Sequence, residues 1–186
     1  WQADADLSGR VAVVGTGSSA IQIVPEIQPR CGHLTLFQRT PGWVLPKWDR
    51  SIAGWEKWLM RTLPGLTTLR RLRTYLTLET LQFAQRRPKV MALIQHLGLR
   101  HLRRQVSNPE MRQALTPNFV LSCKRLLLSD TYYPALQADN ARFVSRAVAS
   151  VVADGILDTE GEHHPVDTLI WATGFDVNHP PVARHI

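Results

Sequence analysis

The stretch VAVVGTGSSAIQIV, residues 11–24, decides the fold. Its first four residues are apolar and mostly β-branched, which is typical of a short buried strand that ends at a glycine. The apolar residues Ile21, Val24 and Ile27 then recur at helical spacing. The order strand, tight turn, helix is the beginning of a nucleotide-binding α/β unit.

The turn itself has the form G-x-G-x-x-A, the fingerprint of dinucleotide binding when a strand precedes it and a helix follows it. Gly15 makes the turn, Gly17 lets the backbone approach a pyrophosphate, and Ala20 allows the helix to pack closely on the strand. The phosphates would lie over the helix N-terminus, where free N–H groups favour anions. A proline at position 25, inside the helix, predicts a kink or a first turn that starts late.

A second strand, HLTLFQRT (residues 33–40), completes a βαβ unit within residues 1–48. An acid after this strand would bind the ribose hydroxyls of NADH, whereas an arginine accommodates a 2′-phosphate. Arg39 and Thr40 stand there, with no acid nearby, so the residues favour NADPH. The other interpretation is an ordinary solvated arginine at a strand end.

Residues 49–115 change to helical spacing and predict three amphipathic helices, separated near Pro64-Gly65 and Pro88. The block interrupts the Rossmann order and is therefore an insertion. Residues 49–112 hold 11 arginines and 2 lysines against 4 acidic residues, while the net charge of the whole chain is +7. The excess is thus local, and the arginines lie on faces opposite the leucines, as in a solvated helix.

Residues 116–186 return to the sheet. We predict a loop, a helix over residues 129–137, a strand over 142–146, a hairpin with turns at Asp154-Gly155 and Glu160-Gly161, and a final strand in DTLIWATG. The fold class is α/β: a Rossmann-like NADP-binding domain with a parallel sheet, a helical insertion and a β-hairpin.

Composition excludes several classes of protein. The chain has 186 residues, enough for one core and an insertion, and no apolar run of membrane-spanning length, so a cytoplasmic protein without a membrane span is expected. Cys31 and Cys123 are expected to be free and buried, without a disulfide or zinc site. No metal site and no role is expected for the histidines, which we place in turns or on polar helix faces: His33, His96, His101, His163, His164, His179 and His185.

Four stretches in one order, GTGSSAIQ, LFQRTPGWVLP, CKRLLLSDTYYPAL and DTLIWATGFD, resemble the Baeyer–Villiger monooxygenases of the phenylacetone or 4-hydroxyacetophenone type, a branch of the flavin-containing monooxygenases. The helical block is similar to the insertion in that family's NADP domain. Trp1 is similar in position to the tryptophan that closes the family signature, although Gln2 stands where the family has proline or an acid.

The resemblance implies roles for individual residues. The turn would hold the NADPH pyrophosphate, Arg39, Thr40 and Lys124 would bind its 2′-phosphate, and Arg125 would be the active-site arginine that stabilises the anionic flavin peroxide. A guanidinium keeps its proton and so suits such an anion. The stretch ATGF resembles the family's second linker. The implied cofactor-binding residues are Gly15, Thr16, Gly17, Ser18, Ser19, Ala20, Gln22, Arg39, Thr40, Lys124, Ala172, Thr173 and Gly174.

The expected function is therefore the NADPH-binding portion of an FAD-dependent monooxygenase that inserts one atom of O2 into a ketone to give an ester or lactone. The family's first dinucleotide motif is missing, so the chain alone is expected to bind NADPH at best. Two alternatives stay open: a heteroatom-oxidising or N-hydroxylating flavin monooxygenase, and a non-catalytic module that docks through the basic helical block. No nucleic-acid motif accompanies that block.

Overall fold

A parallel sheet lies at the centre of the computed structural model, which describes residues 5–84, 87–121 and 123–174. In chain order the strands in those ranges are β1 (Arg10–Val14), β2 (His33–Phe37), β3 (Val44–Leu45), β4 (Leu127–Leu128), β5 (Ala141–Val144), β6 (Val148–Val152), β7 (Gly155–Asp158), β8 (His163–Pro165) and β9 (Thr168–Trp171). The α-helices are α1 (Ala20–Ile27), α2 (Gly54–Thr62), α3 (Leu66–Ala84), α4 (Pro88–Gln105), α5 (Pro109–Ala114) and α6 (Tyr132–Ala135), and a 3-10 helix spans Gln28–Arg30.

The central sheet has the strand order β5-β2-β1-β9, and all its pairs are parallel. β1 lies between β2 and β9, so its two neighbours come from opposite ends of the chain. This reversal of strand order around β1 creates a crevice at the carboxyl ends of the strands, where α/β sheets bind ligands.

The side chains of β1 alternate between the two faces of the sheet, and both faces are buried. Val11 and Val13 share a buried cluster with α1 and α6, while Ala12 and Val14 share another with Ile156 of β7. Because successive strand residues point to opposite faces, one face carries helices and the other an antiparallel sheet, β6-β7-β8. The predicted α/β class with a parallel sheet is confirmed.

Helix α1 begins at Ala20, directly after the glycine turn, and contains Pro25. The predicted late start is therefore wrong. The amide of Ile21 donates to the carbonyl of Gly17 at 3.1 Å, so the first turn already forms at the glycines.

The helical block contains the three predicted helices, α2 to α4, and a fourth, α5, that the prediction missed. Asn108 caps α5, since its Oδ1 accepts from the amides of Glu110 at 2.8 Å and Met111 at 3.1 Å. Residues 67–80 of α3 are all exposed, so its leucines are exposed along with its arginines. Within the described ranges, no helix is both long enough and apolar enough to cross a membrane.

The last third of the chain differs from prediction in its details. The hairpin has three strands, and the strand predicted to reach residue 146 ends at Val144 because Arg146 turns away to form ion pairs. The predicted helix over 129–137 shortens to α6, preceded by the two-residue strand β4. Cys31 is buried, but Cys123 is exposed on the loop before β4, so its predicted burial is wrong.

Candidate nucleotide-binding cleft

A cleft of about 920 Å³ opens at the carboxyl ends of the parallel strands. Most of the residues that the sequence singled out line it, although they come from four separate segments of the chain. These are Gly15, Thr16, Gly17, Ser18, Ser19, Arg39, Thr40, Lys124, Arg125, Ala172, Thr173 and Gly174. Ala20 and Gln22 are not among the lining residues.

The glycine turn forms the floor of the cleft. Gly15 has φ +113°, and a Cβ there would lie 2.4 Å from the carbonyl oxygen of Ala172, so β9 leaves no space for a side chain. A Cβ at Gly17 would meet no atom within 4 Å, so the space above it is free for a ligand. The Thr16 hydroxyl donates to the carbonyl of Thr40 at 2.9 Å and joins the turn to the next wall.

Two predicted residues support the turn from behind. Ala20 is fully buried against the core, as close packing of the helix on the strand requires. The Gln22 side-chain amide donates to the carbonyl of Ser18 at 2.6 Å. Both act on the shape of the turn, and the structure does not bring them to the cleft surface.

Three cations also line the cleft. Arg39 follows β2, and Lys124 and Arg125 precede β4. Lys124 Nζ lies 4.7 Å from the centre of the Phe119 ring, which orients its ammonium group. None of the ion pairs in the described ranges includes these three residues, so their charge is available for an anion.

A short parallel ladder holds the cation-bearing segments together. The amide of Leu127 donates to the carbonyl of Trp43 at 3.0 Å, and the amide of Ser129 to that of Leu45, also at 3.0 Å. The Asp130 carboxylate continues the contact by accepting from the amides of Lys47 at 3.0 Å and Asp49 at 3.2 Å. The segment that leads into the helical block therefore lies beside the segment by which the chain returns from it.

Arg146 also lines the cleft, and sequence reasoning missed it. Its side chain is 23% exposed and contacts three carboxylates, at 3.1 Å (Asp158), 2.8 Å (Glu160) and 2.5 Å (Glu162). The three acids occupy every second position across the β7–β8 turn. This spacing is the feature of the sequence that could have indicated an arginine partner. The hydrogen bond to Glu162 and the three negative charges raise the pKa of Arg146.

Buried polar residues support this cluster. Asp158 is fully buried, and its Oδ2 contacts His164 Nε2 at 2.9 Å. Burial by itself raises the pKa of Asp158, but hydrogen bonds from His164 and from the amides of Glu160 and Glu162, together with Arg146, outweigh it and hold that pKa below its ordinary value. His164, and His101 bonded to the Ser129 carbonyl, are buried, so their predicted placement in turns or on polar faces is wrong.

Asp158, Glu162 and His164 also place three possible metal-ligand atoms within 4.8 Å of one another. Each carboxylate oxygen already has a partner: Arg142 and Arg146 contact the two oxygens of Glu162, and amides, His164 and Arg146 contact those of Asp158. The cluster is therefore explained as an ion-pair network within the antiparallel sheet.

The final wall comes from the end of β9. The amide of Ala172 donates to the carbonyl of Val14 at 2.8 Å, which fixes this segment beside the glycine turn, and Gly174 has φ +100°. Trp171 is 58% exposed and lines the cleft, although the sequence gave no reason to select it. Trp1, Gln2, Phe175, His179 and His185 lie outside the described residues.

The strand order, the glycine turn between β1 and α1 and the cleft above them define a Rossmann-type α/β protein. Solved structures support this fold. The chain is 24% identical to oxidized steroid monooxygenase bound to NADP, with a TM-score of 0.78 over 99% of this chain and 42% of that one. It is 23% identical to a mutant cyclohexanone monooxygenase from Rhodococcus sp. Phi1 bound to NADP+, with a TM-score of 0.76 and the same coverage.

Curated relatives give the family. The chain is 46% identical over 183 residues to a Baeyer–Villiger monooxygenase of Pseudomonas aeruginosa, covering 97% of this chain and 34% of that protein. It is 41% identical over 188 residues to a Baeyer–Villiger monooxygenase of Streptomyces coelicolor, covering all of this chain and 36% of the relative. No protein-family model matches. The chain is homologous to these Baeyer–Villiger monooxygenases and spans about a third of their length.

Proposed function

We propose that this chain is the NADPH-binding portion of an FAD-dependent monooxygenase that inserts one oxygen atom of O2 into a ketone to give an ester or lactone. The observation that carries the proposal is the cleft, which is lined both by a glycine turn and by three cations that have no carboxylate partner in the described ranges. A dinucleotide phosphate presents a pyrophosphate and a further phosphate, and both complement these walls.

The glycine turn binds the pyrophosphate in this proposal. The first amides of a helix have no partner within the helix, and the turn directs those of α1 toward the cleft. Open space above Gly17 admits the phosphate oxygens to the backbone. Thr16, already bonded to Thr40, holds the turn against the wall that carries Arg39.

Arg39, Thr40 and Lys124 bind the 2′-phosphate. Arginine offers a planar fork of donors that matches phosphate, and lysine adds a point charge. Arg39 follows the second strand of the βαβ unit, the position that distinguishes NADPH from NADH in this fold. A ligand without the 2′-phosphate therefore forgoes these contacts.

Arg125 serves the reaction in the complete protein. NADPH held in the cleft would supply a hydride, and FAD bound by the rest of the protein would supply the oxygen chemistry. Arg125 remains charged at any working pH, so it stabilises negative charge that develops on oxygen next to it. Its exposure on the cleft wall leaves it accessible to a group bound by the rest of the protein.

The same proposal divides the chain into three parts: residues 1–48 as the first part of the NADP-binding domain, 49–115 as a helical insertion, and 116–186 as the remainder with a linker toward an FAD domain. The ladder between β3 and β4 supports this division, because the chain leaves and re-enters the domain at adjacent strands.

The test is a titration of the natural-length protein and its Arg39→Ala variant with NADPH and NADH. Charge-assisted hydrogen bonds contribute about 1.5–3 kcal/mol, so Arg39→Ala should weaken NADPH binding roughly 10- to 100-fold and change NADH binding little. The matched control is Arg30→Ala, an exposed arginine outside the cleft, which should bind both like the wild type. Equal losses for NADPH and NADH would contradict the phosphate role.

The reaction class has a separate test. The purified natural-length protein should show flavin absorbance and, with NADPH and O2, convert simple ketones to esters or lactones. Oxidation of sulfides or amines without any ketone turnover would instead identify a heteroatom-oxidising flavin monooxygenase.

A further inference from the structure

Two arginines leave the sheet at the same edge of the cleft. β2 and β5 pair in parallel with Phe37 opposite Val144, and the amide of Gln38 donates to the carbonyl of Val144 at 2.8 Å. Arg39 and Arg146 each follow their last paired residue by two positions, and both line the cleft. They are therefore neighbours at one corner of the nucleotide site.

The surroundings of these two arginines differ in charge. Arg39 is exposed and takes part in none of the ion pairs found in the described ranges. Arg146 is held by Asp158, Glu160 and Glu162, and the buried Asp158 is itself bonded to His164. Three carboxylates neutralise the Arg146 guanidinium and fix its position, so it offers a phosphate little attraction.

Apolar side chains line the cleft on the segment that follows Arg146. Val148 and Val151 are among them, and Val151 is 53% exposed. Phe37 also lines the cleft, and the His164 ring packs edge-on against it with 5.0 Å between ring centres. A fixed guanidinium beside apolar side chains suits a flat, uncharged ring better than an anion.

We propose that Arg146 is an adenine-binding residue, whose guanidinium plane, held by Asp158, Glu160 and Glu162, stacks on the purine base while Arg39 binds the 2′-phosphate. The inference rests on the proposed NADPH binding and adds the contact for the base. Because the arginine is already positioned by its carboxylates, stacking costs little further ordering of the side chain.

The experiment measures dissociation constants of the natural-length protein for NADPH, NADH and reduced nicotinamide mononucleotide, which lacks adenine. Cation–π contacts of this kind correspond to roughly a 5- to 10-fold change in affinity. Arg146→Gln should weaken NADPH and NADH by the same factor and leave the mononucleotide unchanged. A loss confined to NADPH overturns the proposal in favour of a phosphate contact, and unchanged binding of both dinucleotides overturns it outright.

Two further variants separate a contact with the base from support of the antiparallel sheet. Arg142→Gln removes a partner of the same Glu162 but does not line the cleft, so it should bind like the wild type. An equal loss in this variant overturns the proposal. Arg146→Lys keeps a cation among the carboxylates but removes the planar guanidinium. It is the variant to compare if Arg146→Gln lowers the melting temperature. Wild-type NADPH affinity in Arg146→Lys would show that binding needs no planar group at this position, and would overturn the proposal.

The outcomes also separate this inference from the proposed function. A wild-type protein that binds neither NADPH nor NADH overturns both. A wild-type protein that binds NADPH, with an Arg146→Gln variant that binds equally well, overturns the adenine contact alone.

Discussion

Gly15 and Gly17 stand two residues apart and lack side chains for different reasons. At Gly15 the backbone has a positive φ and the Ala172 carbonyl occupies the space where a Cβ would lie, so the fold requires glycine. At Gly17 the space is empty, so the fold would accept a side chain and only a ligand would meet it. Gly15 is therefore required by the fold, and Gly17 is the one whose role we propose to be in binding.

Alanine at each position should separate these two effects. Gly15→Ala introduces backbone strain and a steric clash between the new Cβ and the Ala172 carbonyl oxygen. It should therefore lower the free energy of unfolding by at least about 2 kcal/mol. Gly17→Ala should unfold close to the wild-type temperature but bind NADPH at least about tenfold more weakly, because the methyl group meets the phosphate. Thermal melts and titrations of both variants check this, and wild-type affinity in Gly17→Ala would contradict close approach at this turn.

At the level of single residues, the sequence predicted the turn because strand, glycine spacing and helix are all local. Arg39 followed from its place after the second strand, whereas Lys124 and Arg125, which lie more than eighty positions later, followed only from a family resemblance. Arg146 and the buried pair Asp158–His164 were missed. Their partners become visible only when the β7–β8 turn brings the acids to an arginine from the preceding loop.

Among the elements, β9 is joined to β1 at its start by an ionic contact between Asp167 and Arg10. The Asp167 carboxylate accepts from the backbone amide of Arg10 at 2.8 Å and from its Nε at 3.0 Å, so it joins the first residues of β1 and β9. Side-chain and backbone hydrogen bonds from Arg10 lower the pKa of Asp167 to about 2. Ala172 directly follows β9, and its carbonyl oxygen lies against the glycine turn.

This contact predicts a pH dependence of stability. A carboxylate with a lowered pKa in the folded state stabilises the fold fully above its unfolded pKa, near 3.9, and this contribution is lost as the pH falls toward 2. Asp167→Asn should therefore lose less stability than the wild type between pH 4 and pH 2, as measured by urea unfolding. Arg10→Ala should reduce the slope in part, because the backbone amide at position 10 still donates to Asp167, and adding it to Asp167→Asn should change the slope no further. Wild-type slopes in both single variants would contradict the coupling.

The helical elements show where amphipathic patterning fails as a guide to packing. α4 places Met91 and Leu102 in buried clusters, as its apolar spacing predicts. The leucines of α3 have comparable spacing, yet Leu69, Leu72 and Leu76 are exposed. Periodicity reports that a helix has an apolar face, but only the arrangement of the other elements determines whether something covers it.

For the whole molecule, the proposed division of labour separates nucleotide binding from oxygen insertion. In the natural-length protein, Arg125→Ala should retain reduction of the flavin by NADPH and lose ester formation, because we propose that other residues bind the 2′-phosphate and the pyrophosphate. Stopped-flow absorbance measures the first step and product analysis the second. The control is Arg103→Ala, an exposed arginine of α4, which should keep both. Retained ester formation in Arg125→Ala would reject its role.

The contact between residues 44–49 and 127–130 has a consequence for how this protein diversifies. Since the chain departs for the helical block and returns on neighbouring strands, the spacing between Arg39 and Arg125 depends on that contact and not on the outer helices. The outer helices α2 and α3, whose residues between 54 and 80 contribute nothing to the buried core, are therefore free to change in length and composition. We expect homologous chains to vary most there while their nucleotide chemistry stays constant.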